Sequence, residues 1–257
     1  MKILRKLSEE KGSITMTVVA AMLFITSAVL IAYFSLSNQS NDQSKKTRQV
    51  ADSYKVTNSQ LVQKYKETYD KLPDHTEVSY IQSTGTQYID TDIKANDINK
   101  ILIKFNIVEN TGAHQGILGG GYTTNNKTFQ VILNASNNLI SSRFGTNVLT
   151  IPYDDSVHGI ELSKEKIRID NIESSSITSI DDSRTIYLFA RRADELGSGI
   201  QQFSKCRIYN CKIWDNNTLA RDFVPALDRK GIPCLYDTIE GKHYYNQGEG
   251  EFLYGNE

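Results

Sequence analysis

Cysteine, histidine, proline and tryptophan are scarce in this chain of 257 residues, with three, four, four and one copies. Each scarcity excludes something. The cysteines Cys206, Cys211 and Cys234 are odd in number and form no CxxC pair, so neither a disulfide framework nor a zinc site follows. Cys206 and Cys211 lie five apart in an expected strand and so point to opposite faces, which prevents them from pairing. At most one of them reaches Cys234, and all three read as small buried hydrophobes. His75, His114, His158 and His243 are scattered, and no Gly-x-Ser-x-Gly turn occurs, so neither metal nor triad chemistry is indicated. Positive charge is also short beyond residue 72, with eighteen Lys/Arg against twenty-four Asp/Glu. A nucleic-acid binder needs a basic patch to neutralise phosphates, so that class is set aside.

What is present begins with an apolar run from Ile14 to Leu36 that holds no charge, proline or glycine. At about 1.5 Å per residue a helix of that length crosses the hydrocarbon core. Lys2, Arg5, Lys6 and Lys11 precede it closely, whereas Lys45, Lys46 and Arg48 follow at a distance. The cationic flank predicts a cytoplasmic N-terminus and an extracellular C-terminal part in a single-pass membrane protein. The run exceeds the h-region of an ordinary secretory signal, which favours an anchor over a cleaved signal peptide.

Lys11-Gly12-Ser13-Ile14-Thr15 leads straight into that run. A short cationic leader, a glycine, then a long apolar helix resembles the N-terminus of type IV prepilins and Tad-type pseudopilins. The resemblance covers about the first 50 to 70 residues and implies peptidase cleavage between Gly12 and Ser13. Ser13 stands where the main prepilin class has Phe or Met, and Thr17 where it has Glu. A plain single-span anchor with a chance glycine is the other reading, and both stay open.

After a polar patch at Asn38–Asp42, Val50, Tyr54, Thr57, Leu61, Tyr65, Thr68 and Leu72 recur at spacings of three and four. This predicts a polar helical stalk over 37–72, stopped at Pro73, with self-association through 43–72 as one use of its narrow stripe. Residues 73–76 read as a hinge.

From Glu77 the grammar changes to short runs rich in Ile, Val, Tyr, Phe and Thr, bounded by Gly, Asn, Asp or Ser. Ile101, Ile103, Phe105 and Ile107 show the period-two alternation of a half-buried strand. About a dozen such strands in one domain predict a mainly β fold, an antiparallel two-sheet sandwich over 77–257. Asp215-Asn216-Asn217 is an expected hairpin turn, Pro225 an expected strand end, and Gly248 or Gly250 an expected φ > 0 turn. The lone Trp214 reads as packing before it reads as a sugar platform.

Five motifs give that sandwich a likeness. Ser79 to Thr91 opens the domain. Arg207 to Asp215, Arg221 to Ala226, Gly231 to Asp237, and Tyr245-Asn246-Gln247-Gly248-Glu249-Gly250 close it. Together they resemble the concanavalin A-like, LamG-type jelly-roll domains of bacterial surface proteins and phage structural proteins. The resemblance implies a jelly roll that binds glycans or other surface ligands. Catalytic members of this architecture carry Glu-x-Asp-x-(x)-Glu on one strand, and nothing here fits it. Asp90 and Asp92 share a strand end, Glu161 and Glu165 straddle a turn, and the acids are expected to be screened with ordinary pKa values.

Other candidates are weaker. Gly119-Gly120-Gly121 lacks the Lys-Ser/Thr of a phosphate loop and reads as a bulged strand end. LamG-type domains sometimes hold calcium through loop carboxylates, but Asp154-Asp155 and Asp181-Asp182 form no oxygen-rich cluster in sequence, so no cofactor or metal is expected. Arg191 and Arg192 precede the loop Leu196–Gly199, and with Tyr122, Asn125, Asn126 and Arg143 they are the candidate ligand rim. The expectation is a membrane-anchored, surface-displayed recognition module for a carbohydrate or surface protein, not an enzyme. The alternative is a pilin-like filament subunit carrying a jelly roll.

Overall fold

The computed structural model describes residues 22–28, 41–69, 74–121, 128–175, 179–192 and 199–256. Gly12 and Ser13 lie outside these, as does the run Ile14–Leu36 apart from 22–28, which is helical. Among the described residues no helix is long and apolar enough to cross a membrane. Helix α1 (Asn41–Tyr69) has 29 residues and carries Lys66 in its last turn, where a cation complements the helix dipole. Its stripe residues Val50, Tyr54 and Leu61 are 42%, 42% and 45% exposed.

The strands are β1 (His75–Glu77), β2 (Tyr80–Gln82), β3 (Ile89–Asn96), β4 (Asn99–Ile107), β5 (Gln115–Gly121), β6 (Thr128–Asn134), β7 (Leu139–Phe144), β8 (Asn147–Pro152), β9 (His158–Ser163) and β10 (Lys166–Ile169). They continue with β11 (Ile172–Ser175), β12 (Asp181–Leu188), β13 (Arg191–Arg192), β14 (Ile200–Gln201), β15 (Cys206–Asp215), β16 (Thr218–Asp228), β17 (Pro233–Asp237), β18 (Lys242–Tyr244) and β19 (Leu253–Gly255).

Two antiparallel sheets form a jelly-roll sandwich. The larger has eleven strands, in the path β11-β10-β9-β4-β15-β16-β17-β18, with β1 on β16 and β2 joining β15 to β19. The smaller runs β3-β12-β5-β6-β7-β8. Strand β4 shows why the sheets face each other. Ile101, Ile103, Phe105 and Ile107 are buried while Lys100, Leu102, Lys104 and Asn106 point outward. From the other sheet Phe129, Val131 and Leu133 enter the same core, which also holds Phe144, Phe189 and Phe223. Burial of that apolar area is the main stabilising term.

Several local expectations change. The segment read as a hinge contains β1, where His75 pairs with Asp228 and Thr76 with Leu227. Pro225 does not end β16. The strand runs on to Asp228, and the Pro225 carbonyl still accepts from Val78 N at 3.0 Å. The strand therefore keeps an acceptor where proline removes a donor.

Cys206 and Cys211 do not point to opposite faces. Both are fully buried, as are Ile208 and Ile213. The register against β4 shifts between Ile208 and Asn210, so Tyr209 is an inserted bulge residue that resets the alternation. The three cysteines are free, and burial pushes the thiols of Cys206 and Cys234 up to about 12. Trp214 stands on the outer face, half-buried, with Lys100 Nζ 5.2 Å from its ring centroid. The β15–β16 hairpin turns through Asn216 and Asn217 at φ 47° and 63°, the left-handed pair of a two-residue turn.

The opening and closing motifs clasp each other. Gln87 is 1% exposed. Its Oε1 accepts from Thr84 N at 2.7 Å and its Nε2 donates to Glu249 O at 2.9 Å. Asn246 Oδ1 accepts from Gly248 N at 2.8 Å and Tyr88 N at 3.2 Å. A Cβ on Gly248 would strike Thr86 O, so the loop requires glycine there.

Candidate functional site

The outer face of the six-stranded sheet carries a row set by strand register. Asp90 pairs with Tyr187, Tyr187 with Gly119, Gly119 with Gln130, Gln130 with Arg143, and Arg143 with Val148. Side chains at paired positions share a face and stand about 5 Å apart at Cβ. Glycine at 119 leaves a trough in this row, and Arg191 fills it. A Cβ on Gly119 would meet Arg191 Cγ at 3.0 Å. A Cβ on Gly116 would meet Arg191 N at 2.9 Å.

Lying in the trough, Arg191 is 9% exposed and donates from Nη1 to Gln130 Oε1 at 2.9 Å. Gln130 is itself 2% exposed, a polar residue inside the apolar run Phe129–Leu133 of a strand buried on both faces up to Leu133. Arg143 stands on its other side, half-buried, and its buried Nε has no hydrogen-bond partner among the described residues. Arg191 and Arg143 thus lie on either side of Gln130 in the row. Nearby, the rings of Tyr88 and Tyr187 stack at 5.1 Å between centroids, with Phe203 at 6.2 Å from Tyr88. Such a surface offers planar hydrogen-bond donors beside aromatic faces, the pairing that fits polar, hydroxyl-bearing ligands.

Of the six expected rim residues, the structure places Arg143 and Arg191 on either side of Gln130. Arg192 is in β13, opposite Ile200. Tyr122, Asn125 and Asn126 lie outside the described residues, in the segment joining β5 to β6. Gln130 and Tyr187 were not foreseen. The one available signal was a glutamine between Phe129 and Val131 in an apolar run.

The carboxylates are distributed differently from expectation. Asp90 accepts from Thr185 Oγ1 at 3.0 Å, while Asp92 reaches Lys242 Nζ at 3.3 Å. Glu161 is not a screened turn acid. Its side chain is 8% exposed, within 3.2 Å of Lys100 Nζ and 2.9 Å of both Lys166 Nζ and Arg168 Nη2. Burial alone would raise its pKa, but hydrogen bonds and charge from Lys166 and Lys100 outweigh that and hold it below the usual value. Asp154 is likewise lowered, by hydrogen bonds from Ser156, and Asp97 is lowered as Ser179, Ile180 and Lys164 together overcome burial. A general acid needs the opposite shift. Gly119 and Gly120 lie within β5, and its bulge falls earlier, between Gly116 and Leu118. Asp181 opens β12 opposite Asn96, so it belongs to a strand and not a loop. Among the described residues no group of three or more His, Cys, Asp and Glu side chains is placed to hold a metal.

No protein-family model matches the chain, and no curated protein does. Among solved structures, a Bacteroides ovatus protein named as a candidate carbohydrate-binding protein is similar over 71% of this chain and 61% of its own, at 11% identity and a TM-score of 0.47. Domains LG4-5 of the mouse laminin α1 chain are similar over 56% of this chain and 44% of theirs, at 14% identity and a TM-score of 0.35. The chain therefore spans less than two thirds of each of these structures.

Proposed function

We propose that this chain is a non-catalytic recognition module that binds a glycan on the outer face of its six-stranded sheet. The observation that carries this reading is the placement of Arg143 and Arg191 on either side of Gln130, beside the Tyr88–Tyr187 stack. The donors are held by backbone register and by a glycine trough, so they are pre-organised, which lowers the ordering cost of binding. Hydroxyl groups accept hydrogen bonds from guanidinium, and sugar C–H faces pack on tyrosine rings. The lowered acids favour binding over hydrolysis.

The charge-free run Ile14–Leu36 and the cationic leader support display outside a membrane, with α1 as a stalk. A glycan array probed with the full chain in detergent tests the reading. Selective binding that Arg143→Ala abolishes is the expected result. Binding to no glycan, or binding indifferent to Arg143, rejects it.

A further inference from the structure

The opposite outer face, on the eleven-stranded sheet, carries a groove of about 420 Å³. Its floor is Leu102 and Gly159, and a Cβ added to Gly159 would meet nothing within 4 Å. Around the floor stand Lys104, Arg168, Asn171 and Asn210. Register explains the grouping, since Lys104 pairs with Gly159 on one side and with Asn210 on the other.

The donors here are in excess. Lys104 makes no ion pair with a described residue, and its Nζ lies 5.9 Å from the centroid of the Tyr209 ring. The side-chain amides of Asn171 and Asn210 make no hydrogen bond with a described residue. The acids facing the groove are already engaged. Glu161 is shared by Lys100, Lys166 and Arg168, three cations on one carboxylate. Asp170 is held by His158 Nδ1 and Gly159 N, each at 2.8 Å. The face therefore keeps a positive surplus within a domain that is acidic overall. Cations reach from Lys166 and Arg168 on β10 across β9 to Lys100 and Lys104 on β4, about 10 Å at two strand spacings, while Lys212 beyond them on β15 is already paired with Asp222 at 2.6 Å.

We propose that this groove is a second binding surface, and that it takes an acidic polysaccharide of the uronic-acid class. Carboxylates along the polymer meet Lys104 and Arg168, while its hydroxyls meet the amides of Asn171 and Asn210. Trp214, under Lys100, extends the strip with an aromatic face. The surface is distinct from the Arg143 site, so each stands or falls alone.

The test is affinity electrophoresis of the full chain in gels containing polygalacturonate, with dextran and poly-glutamate gels alongside. The expected result is retardation by polygalacturonate only, diminished by added salt. Lys104→Ala weakens it about tenfold, the size of a lost charge-assisted hydrogen bond. Lys94→Ala, an equal charge change on exposed Lys94 of β3, leaves retardation unchanged. No retardation, an equal loss with Lys94→Ala, or equal retention by poly-glutamate overturns the proposal.

Discussion

The buried amide of Gln87 donates to the backbone carbonyl of Glu249 at 2.9 Å, tying the first motif of the domain to its last. The same side chain accepts from Ser83 Oγ and Thr84 N. Gln87→Ala leaves the buried Ser83 hydroxyl without its acceptor and removes the half-buried hydrogen bonds beside it, at a cost of about 2 kcal/mol. Thermal unfolding of the full chain should show a melting point lowered by several degrees. An unchanged melting point would mean that water replaces the clasp.

Neighbouring glycines on β5 should differ. A Cβ on Gly120 meets the Thr185 carbonyl at 2.9 Å, which is backbone of a paired strand. A Cβ on Gly119 meets side-chain atoms, Arg191 Cγ at 3.0 Å and Gln130 Cβ at 3.1 Å, before any backbone, Phe129 O at 3.3 Å. Gly120→Ala is expected to cost about 2 kcal/mol, and Gly119→Ala about 1. Gly119→Ala should weaken glycan binding all the same, because Arg191 leaves its trough. Chemical denaturation and array binding of both variants check this contrast.

The buried thiols should be inert. Burial holds Cys206 and Cys234 near 12, and Cys211 higher still. Iodoacetamide at about pH 8 reacts with thiolate, so the native chain should stay unmodified by mass spectrometry while the urea-unfolded chain takes up three labels. Labelling of native Cys234 would contradict its buried place on β17, beside Ala226 of β16.

Glu161 predicts an acid sensitivity. Its folded pKa lies below its unfolded value, so its stabilisation is present above about pH 4.3 and is lost as pH falls through the folded value. Glu161→Gln should flatten that part of the stability curve and cost about 1–2 kcal/mol at neutral pH, since its three partners are partly exposed and stay hydrated. An unaltered acid limb would assign the effect to Asp97 and Asp154.

Much of the sandwich was legible because one-sided burial imposes period two. Ile101 to Ile107 is the plain case, and the Asn216-Asn217 turn advertises its own backbone. Where a bulge intervenes the pattern misleads. Tyr209 resets the faces of β15, so Cys206 joins Cys211 in the core and no local signal says so. Strands of two residues, β13 and β14, are too short for any period. The site was half legible. Arginine at 143 and 191 stood out by composition, but their placement on either side of Gln130 depends on the β6–β7 register and on two glycines whose role is to be absent from the trough. Glu161 looked like a turn acid because only its pairing shows three cations around it.

The central claim is that Arg143 and Arg191, set on either side of Gln130, bind a glycan. Calorimetric titration of the full chain with the strongest glycan from the array, compared with Arg143→Ala and Arg143→Lys, tests it most directly. The account predicts that the Ala variant loses about tenfold or more in affinity. It predicts that the Lys variant recovers little, because a point charge does not reproduce a planar fork, and that both variants melt as the parent does. Parental affinity in Arg143→Ala would contradict it.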